Sequence, residues 1–345
     1  MGKSLSHTGT DRVTEMLRKA NEAAHAAGVG RQLIEDKEFH GDTIVIQGSE
    51  VANFGLCSYL GLGDDERVIE GALDVTRRFG VSYSSSTAYT ALGLYGDLTE
   101  RLEAMLSAKV ILAGTTTLGH LAALPVLVRQ GDLVLVDGQA HASILVMTPI
   151  LAGNGASVET VRHSDVGQIA ERLEQVDGSR RVWFLTDGIF SMHGDSVPAE
   201  AIHQLLQQHP NFYVYCDDAH GFGWDGPHGI GNYLKRSGWH DRLVISAGMA
   251  KSFGTMGGLI ATSNEDFYDI VRLTGSPLVF GGPIPPPILG AGIASADIHL
   301  SEEHAELQSE LDERIRFVNR FCGEAGIPLS ASDHTPLWFT ELGSS

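Results

Sequence analysis

FYVYCDDAHGFGWDGPHGIG (212–231) is the stretch that decides the fold. It opens with five apolar or aromatic residues in a row, delivers Asp217 and Asp218, and then turns through a glycine-rich loop. A strand that is apolar on both faces belongs in a parallel sheet covered on both sides. Four more runs have this form: VILAG (110–114), LVLVD (133–137), VWFLTD (182–187) and LVISAG (243–248). Helical patterns separate them, among them LGHLAALPVLVRQ (118–130), DVGQIAERLEQV (165–176) and PAEAIHQLLQQHP (198–210). The alternation predicts an α/β fold with a mainly parallel sheet between helices. Ligands of such sheets sit at the carboxyl ends of the strands, so the polar residues just past each run are the functional candidates.

Away from this centre the patterns change. Residues 10–36 read as an amphipathic helix with a loose lead-in, and 42–55 as a short β pair. The proline-rich hinge SPLVFGGPIPPP (276–287) precedes a helix expected from about 288 to 324, and the tail IPLSASDHTPLWFTELGSS (327–345) reads as a strand pair. The expected division is an N-terminal helix and β segment (1–52), a large domain (53–285) and a partial, smaller α+β domain (286–345). One helix and two strands make a poor domain, so the last is expected to be truncated or completed from elsewhere. A chain of 345 residues exceeds what one core usually organises, which fits that division.

Composition narrows the function. The formal net charge is -19, which disfavours a nucleic-acid or anionic-membrane partner because either requires a basic face. No apolar run approaches the roughly 20 residues that span a bilayer. Cys57, Cys216 and Cys322 are odd in number and widely spaced, so neither a disulfide framework nor a zinc site is expected, and a reducing cytoplasm fits. The polar N-terminus is not expected to act as a secretory leader. Gly2 and Ser6 match the loose myristoylation pattern, which is short and weak.

The residues after the strands carry the chemistry. Asp217 at a strand's carboxyl end can pair with a heterocyclic ring nitrogen and keep it protonated, the requirement of pyridoxal-phosphate (PLP) chemistry. Alone it reads equally well as a cap beside a structural His220. Gly221, Gly223 and Gly226 spell a literal dinucleotide fingerprint, but no helical pattern follows and Pro227 comes next. In ISAGMAKSFGTMGG (245–258), Lys251 lies between an apolar strand and a glycine-rich loop, where desolvation favours the neutral amine that forms a Schiff base. In VDGQAHASI (136–144), His141 can stack on a flat ring, or it is a satisfied structural histidine. In AGTTTLGH (113–120), Thr115, Thr116 and Thr117 sit at a helix start, where free N–H groups bind phosphate or a hydroxyl simply caps the helix.

Taken together these segments resemble the α-oxoamine synthase family of fold-type I PLP enzymes. The resemblance runs from about residue 53 through CSYLGL (57–62), LEAML (102–106), DGQAHASI (137–144), HSD (163–165), TDGIFSMHGD (186–195), DDAHGFGWDGPHGIG (217–231), AKSFGTMGG (250–258) and IPPP (284–287). It implies a covalent cofactor link and Cα proton shuttle at Lys251, a pyridinium partner in Asp217, a phenolic-oxygen partner in His220 and ring stacking by His141. Ser191 matches a serine near that oxygen, and Asp187 stands where the family carries a glutamate beside the reacting centre. Thr116 and Thr117 fall at the family's phosphate-binding pair.

Four positions depart from the pattern. Gly248 replaces a phosphate-binding Thr or Ser, Gly281 and Gly282 replace a partner-subunit hydroxyl, Cys57 replaces an Asn, and SYSSSTAYTALG (82–93) replaces a segment with an Arg. The phosphate site is therefore expected to be rebuilt, from the threonine cluster and from the backbone of Gly281 and Gly282 across a homodimer interface. The family's substrate-carboxylate arginine is expected beyond the residues at hand. The implied reaction is decarboxylative condensation of an amino acid with an acyl thioester, on coenzyme A or a carrier protein, to an α-aminoketone. The rivals are an aminotransferase with the same cofactor and a degenerate subunit that only supports a partner.

Overall fold

The computed structural model describes residues 9–30, 32–38, 41–331 and 333–340. Gly2 and Ser6 of the myristoylation pattern lie outside the described residues. The chain forms two compact units, residues 1–56 and 57–345.

In the first unit the helix Gly9–Ala26 stops well short of residue 36. Gly28, at φ 69°, turns the chain in the left-handed region that suits a residue without a β-carbon. The expected β pair forms: β1 (Thr43–Ile46) and β2 (Ser49–Ala52) are antiparallel, with Thr43 opposite Ala52 and Ile46 opposite Ser49. Their two-residue turn, Gln47-Gly48, has positive φ at both positions, the geometry that matches strand twist in tight hairpins.

The second unit is built on β3 (Lys109–Ala113), β4 (Leu133–Asp137), β5 (Ser157–Val161), β6 (Val182–Asp187), β7 (Phe212–Asp217), β8 (Leu243–Gly248) and β9 (Gly258–Thr262). They form one sheet in the order β3-β9-β8-β7-β6-β4-β5. The neighbours from β8 to β5 pair in parallel, while β9 runs antiparallel to both β3 and β8. β4, β6 and β8 are buried along their whole length, as their unbroken apolar sequences require. Two strands went unread in the sequence. β5 is a half-exposed edge with polar alternation, and β9 follows directly on a glycine-rich loop that reads as turn.

The C-terminal expectations need two corrections. The single helix from 288 to 324 is two helices, Pro286–Leu300 and Glu303–Ala325, because Ser301 between them is extended. The first packs on helix Glu66–Phe79 so closely that a β-carbon on Gly71 would lie 2.7 Å from the Gly290 carbonyl. The tail strand pair is absent among the described residues. Pro328 and Pro336 lack the N–H groups of a ladder, a single backbone bond from Ser330 N–H to the Phe339 carbonyl (2.7 Å) joins the two arms, and other polar groups of the tail bond elsewhere. The Asp333 carboxylate accepts from Ser196 N–H (2.8 Å), Thr335 donates to the Gly194 carbonyl (2.6 Å) and Trp338 donates to Asn319 (2.6 Å). Among the described residues, 286–340 form two helices and a loop. Among the described residues no helix is long and apolar enough to cross a membrane.

Candidate active site

β6 and β7 deliver Asp187 and Asp217 side by side at their carboxyl ends. Asp217 Oδ1 accepts from its own loop at Ala219 N–H (3.1 Å), and Oδ2 lies 3.0 Å from His120 Nε2. Burial pushes this carboxyl up, but His120 foremost, with Lys251 and His141, more than reverses it, so Asp217 sits below its ordinary pKa. Asp187 Oδ1 accepts from His141 N–H at 3.0 Å. Burial first, and then the charge of Asp217, hold Asp187 well above the usual carboxylate range. Two adjacent carboxyls are thereby pushed apart, one towards the anion and one towards the acid, a division of roles typical of catalytic pairs.

The two loop histidines are held differently. Burial, then the charge of Lys251, drives His220 down to about 3, so the ring is neutral at physiological pH. Its Nδ1 lies 2.7 Å from the Tyr59 hydroxyl, and Trp224 pins its carbonyl at 2.6 Å. Burial pushes Tyr59 upwards, so it remains a phenol, and where it donates to Nδ1 the hydrogen of the neutral ring lies on Nε2. His141 caps the short helix Ala142–Leu145, with Nδ1 2.6 Å from Ser143 Oγ and 3.2 Å from Ser143 N. Lys251 follows β8 by three residues, and among the described residues its amine has neither an ion pair nor a hydrogen bond.

At the other end, Thr115 caps helix Thr116–Leu127 by accepting from Leu118 N–H at 3.1 Å. That leaves the hydroxyls of Thr116 and Thr117 uncommitted and their N–H groups open at the first turn. Gly248 and Gly258 pair across β8 and β9 directly beneath. A β-carbon on Gly248 would lie 2.8 Å from Thr116 Oγ1, and one on Gly258 would collide with the backbone of Thr116. The paired glycines form the notch in which Thr116 sits.

Thr116, Thr117, His141, Asp187, Asp217, His220 and Lys251 line one cavity of about 170 Å³. Ser191 lies in the turn after Phe190 and does not line it, nor do Gly281 and Gly282. The Gly282 carbonyl instead lies against the approach to Thr115, 3.0 Å from where a β-carbon on Gly114 would be. Three residues that the sequence does not single out bond behind the cavity: His120 to Asp217, Tyr215 to His120, and Tyr59 to His220. His120 follows Thr116 by one helical turn, which was the one available signal. Tyr59 and His220 are 161 positions apart, and no local pattern links them.

The donor set suits a phosphorylated heteroaromatic aldehyde: an amine for the aldehyde, an anion for the ring nitrogen, a neutral imidazole N–H for a phenolic oxygen, a flat imidazole, and open N–H groups for phosphate. Fold and cavity together define a class, the PLP-binding α/β proteins of fold type I.

Comparison with known proteins narrows the class. The profile of aminotransferase class I and II matches residues 51–345. An 8-amino-7-oxononanoate synthase of Maricaulis maris is 31% identical over 314 residues, covering 89% of this chain and 76% of the relative. One of Symbiobacterium thermophilum is 29% identical, over 94% and 82%. A solved serine palmitoyltransferase from S. paucimobilis with bound PLP shares the fold at a TM-score of 0.85, with 21% identity over 96% of this chain and 86% of that one. The chain belongs to the aminotransferase class I and II family and, within it, to the PLP-dependent α-oxoamine synthases.

Proposed function

We infer that this enzyme joins an amino acid to an acyl thioester with loss of carbon dioxide, giving an α-aminoketone. The observation that carries the reading is an uncommitted Lys251 amine sharing one cavity with an Asp217 held towards its anion. Bound PLP supplies an electron sink for the pair left at the amino acid's α-carbon. Lys251 would hold the cofactor and move the Cα proton. Asp217 would keep a proton on the ring nitrogen, and His220 Nε2–H would serve the phenolic oxygen. His141 would cover one ring face, and Asp187, which burial and the charge of Asp217 push towards its acid form, would stand beside the reacting centre.

Thr116 Oγ1 takes the part of the hydroxyl missing at Gly248, since the two positions compete for one space. The same proposal includes the division 53–285 and 286–345, a cytoplasmic setting, Ser191 near the phenolic oxygen, and a homodimer that turns Gly281 and Gly282 to the partner's phosphate. Apolar side chains support the dimer: Tyr89 is 98% exposed and Phe280 72%, on segments tied together by Thr87 N–H to the Val279 carbonyl. All three cysteines are free, in keeping with a reducing compartment.

The test is to supply the PLP-loaded enzyme with a panel of amino acids and acyl thioesters and measure released thiol and carbon dioxide. Equal release of both is expected for at least one pair. A pyridoxamine form that accumulates with a keto acid, without thiol release, would establish aminotransfer instead.

A further inference from the structure

On the side of Asp217 away from the cavity lies a buried imidazole that none of these roles uses. His120 is 0% exposed, in the second turn of helix Thr116–Leu127. Its Nε2 is 3.0 Å from Asp217 Oδ2 and its Nδ1 2.8 Å from the Tyr215 hydroxyl, with the two rings edge to face at 66°. Tyr215 precedes Asp217 by two residues on β7, so both side chains leave the strand on one face.

The donor order follows from elementary chemistry. An ionised carboxylate only accepts, so Nε2 bears the hydrogen. Nδ1 is then the atom left for the Tyr215 hydroxyl, 2.8 Å away. Burial holds Tyr215 far above its ordinary pKa, which keeps the hydroxyl's hydrogen in place. Tyr215, His120 and Asp217 thus form one hydrogen-bonded series that ends on the carboxylate.

Each Asp217 oxygen accepts one hydrogen bond from its surroundings, Oδ1 from Ala219 N–H and Oδ2 from His120. The remaining lone pairs are the ones free for the cavity. Helix Thr116–Leu127 also begins at the phosphate end, so a single rigid element sets both ends of the site.

We propose that His120 is the positioning residue of Asp217: its Nε2–H sets the carboxylate's orientation and keeps its negative charge directed into the cavity. The inference rests on the PLP reading of that cavity. Asp187 on β6, Cys216 on β7, Asp218 and His220 on its own loop, His141 after β4 and Lys251 after β8 are the other charged or titratable groups that act on Asp217. A histidine that only filled space would need no such alignment, and that difference is measurable.

The test compares His120→Phe, which keeps bulk and loses the donor, with His120→Gln, which keeps an N–H. Borohydride trapping should mark Lys251 in the wild type and both variants. His120→Phe should lower kcat about 10- to 100-fold, the range for groups that orient a functional ligand. KM should change little, and the pH midpoint of the bound cofactor's absorbance should move. His120→Gln should recover most of both. A His120→Phe enzyme within threefold of wild type in kcat, with an unmoved midpoint, overturns the proposal, as does a glutamine variant no better than phenylalanine. Failure to trap any adduct in the wild type would instead overturn the PLP reading. If His120→Phe does not fold, ¹⁵N NMR of the apoprotein decides: a hydrogen on Nε2 is expected, and one on Nδ1 with Nε2 bare overturns the proposal.

Discussion

The two ends of the cavity are made in opposite ways. At the ring-nitrogen end, Asp217, His120 and Tyr215 are buried side chains joined in one hydrogen-bonded series from a central strand and its covering helix. At the phosphate end the material is backbone and absence: two facing glycines, an open helix start and one threonine hydroxyl. The contrast has a physical reason. A ring nitrogen must be kept in one protonation state, which takes a specific charge with its own partners in a dry place. A phosphate only needs N–H groups and a field of the right sign, which a helix start supplies without side chains. Specific chemistry is thus written in side chains, and anchoring in close backbone approach.

If that contrast holds, effects should fall from the first end to the second. Lys251→Ala sits where both ends meet and should be the most severe, reducing turnover to the uncatalysed background and abolishing the borohydride-stable adduct. An adduct found on another lysine would break the assignment. Asp217→Asn should bind PLP yet lose about 10²–10³-fold in kcat, as when one preorganised electrostatic group is removed. Turnover within about threefold of wild type, under 1 kcal/mol, would show that the ring-nitrogen end is not the exacting one.

The same contrast explains what the sequence revealed. Lys251, Asp217, His220 and His141 each follow an unbroken apolar strand, and topology alone puts strand ends at the ligand. The nearness of Gly248 to Thr116, by contrast, is a contact between a strand end and a helix start far away in sequence, and it leaves no mark on local spacing. His120 lies 97 positions from Asp217, and in sequence it is one more residue of an apolar helix. The tail loop is not legible locally, because a loop at 194–196, far away in sequence, takes part of the tail's hydrogen bonding.

At the phosphate end, Gly248→Thr is the informative change. The new β-carbon would lie 2.8 Å from Thr116 Oγ1 and 3.4 Å from the Ala219 β-carbon, so one hydroxyl must move aside. Overpacking of this kind costs about 1–3 kcal/mol. PLP affinity, titrated onto apoprotein, should fall about tenfold, which is 1.4 kcal/mol. Adding Thr116→Ala should restore it, because the hydroxyl has then only changed its attachment point. Tighter binding by the single variant would show that the phosphate uses both hydroxyls and that the two positions do not compete.

The smallest effect on turnover is expected at Asp218, next to Asp217 but turned away from the cavity into a cage of glycines. Side chains at Gly188 or Gly221 would collide with its carboxylate. One oxygen accepts from Tyr233 N–H at 2.9 Å, and the other is buried without a partner. Burial, the largest influence, pushes the group up to about 7. An unfolded Asp titrates near 3.9, so between about pH 4 and 7 the folded state keeps a proton that the unfolded state has lost. Stability from this group therefore declines as pH rises through that window, by about 1.4 kcal/mol per unit. His220 works the other way. Its folded value of about 3 lies below the unfolded 6.5, so its share of stability is lost as pH falls through the same range. The two slopes oppose each other from about pH 4 to 6.5. Asp218→Asn removes only the first and preserves shape, so urea denaturation at pH 4.5, 5.5 and 6.5 should show the variant gaining on the wild type by on the order of 1 kcal/mol per unit, with kcat within about threefold. Parallel stability profiles would mean that Asp218 is already ionised in its glycine cage. The ring-nitrogen end would then carry two adjacent anions.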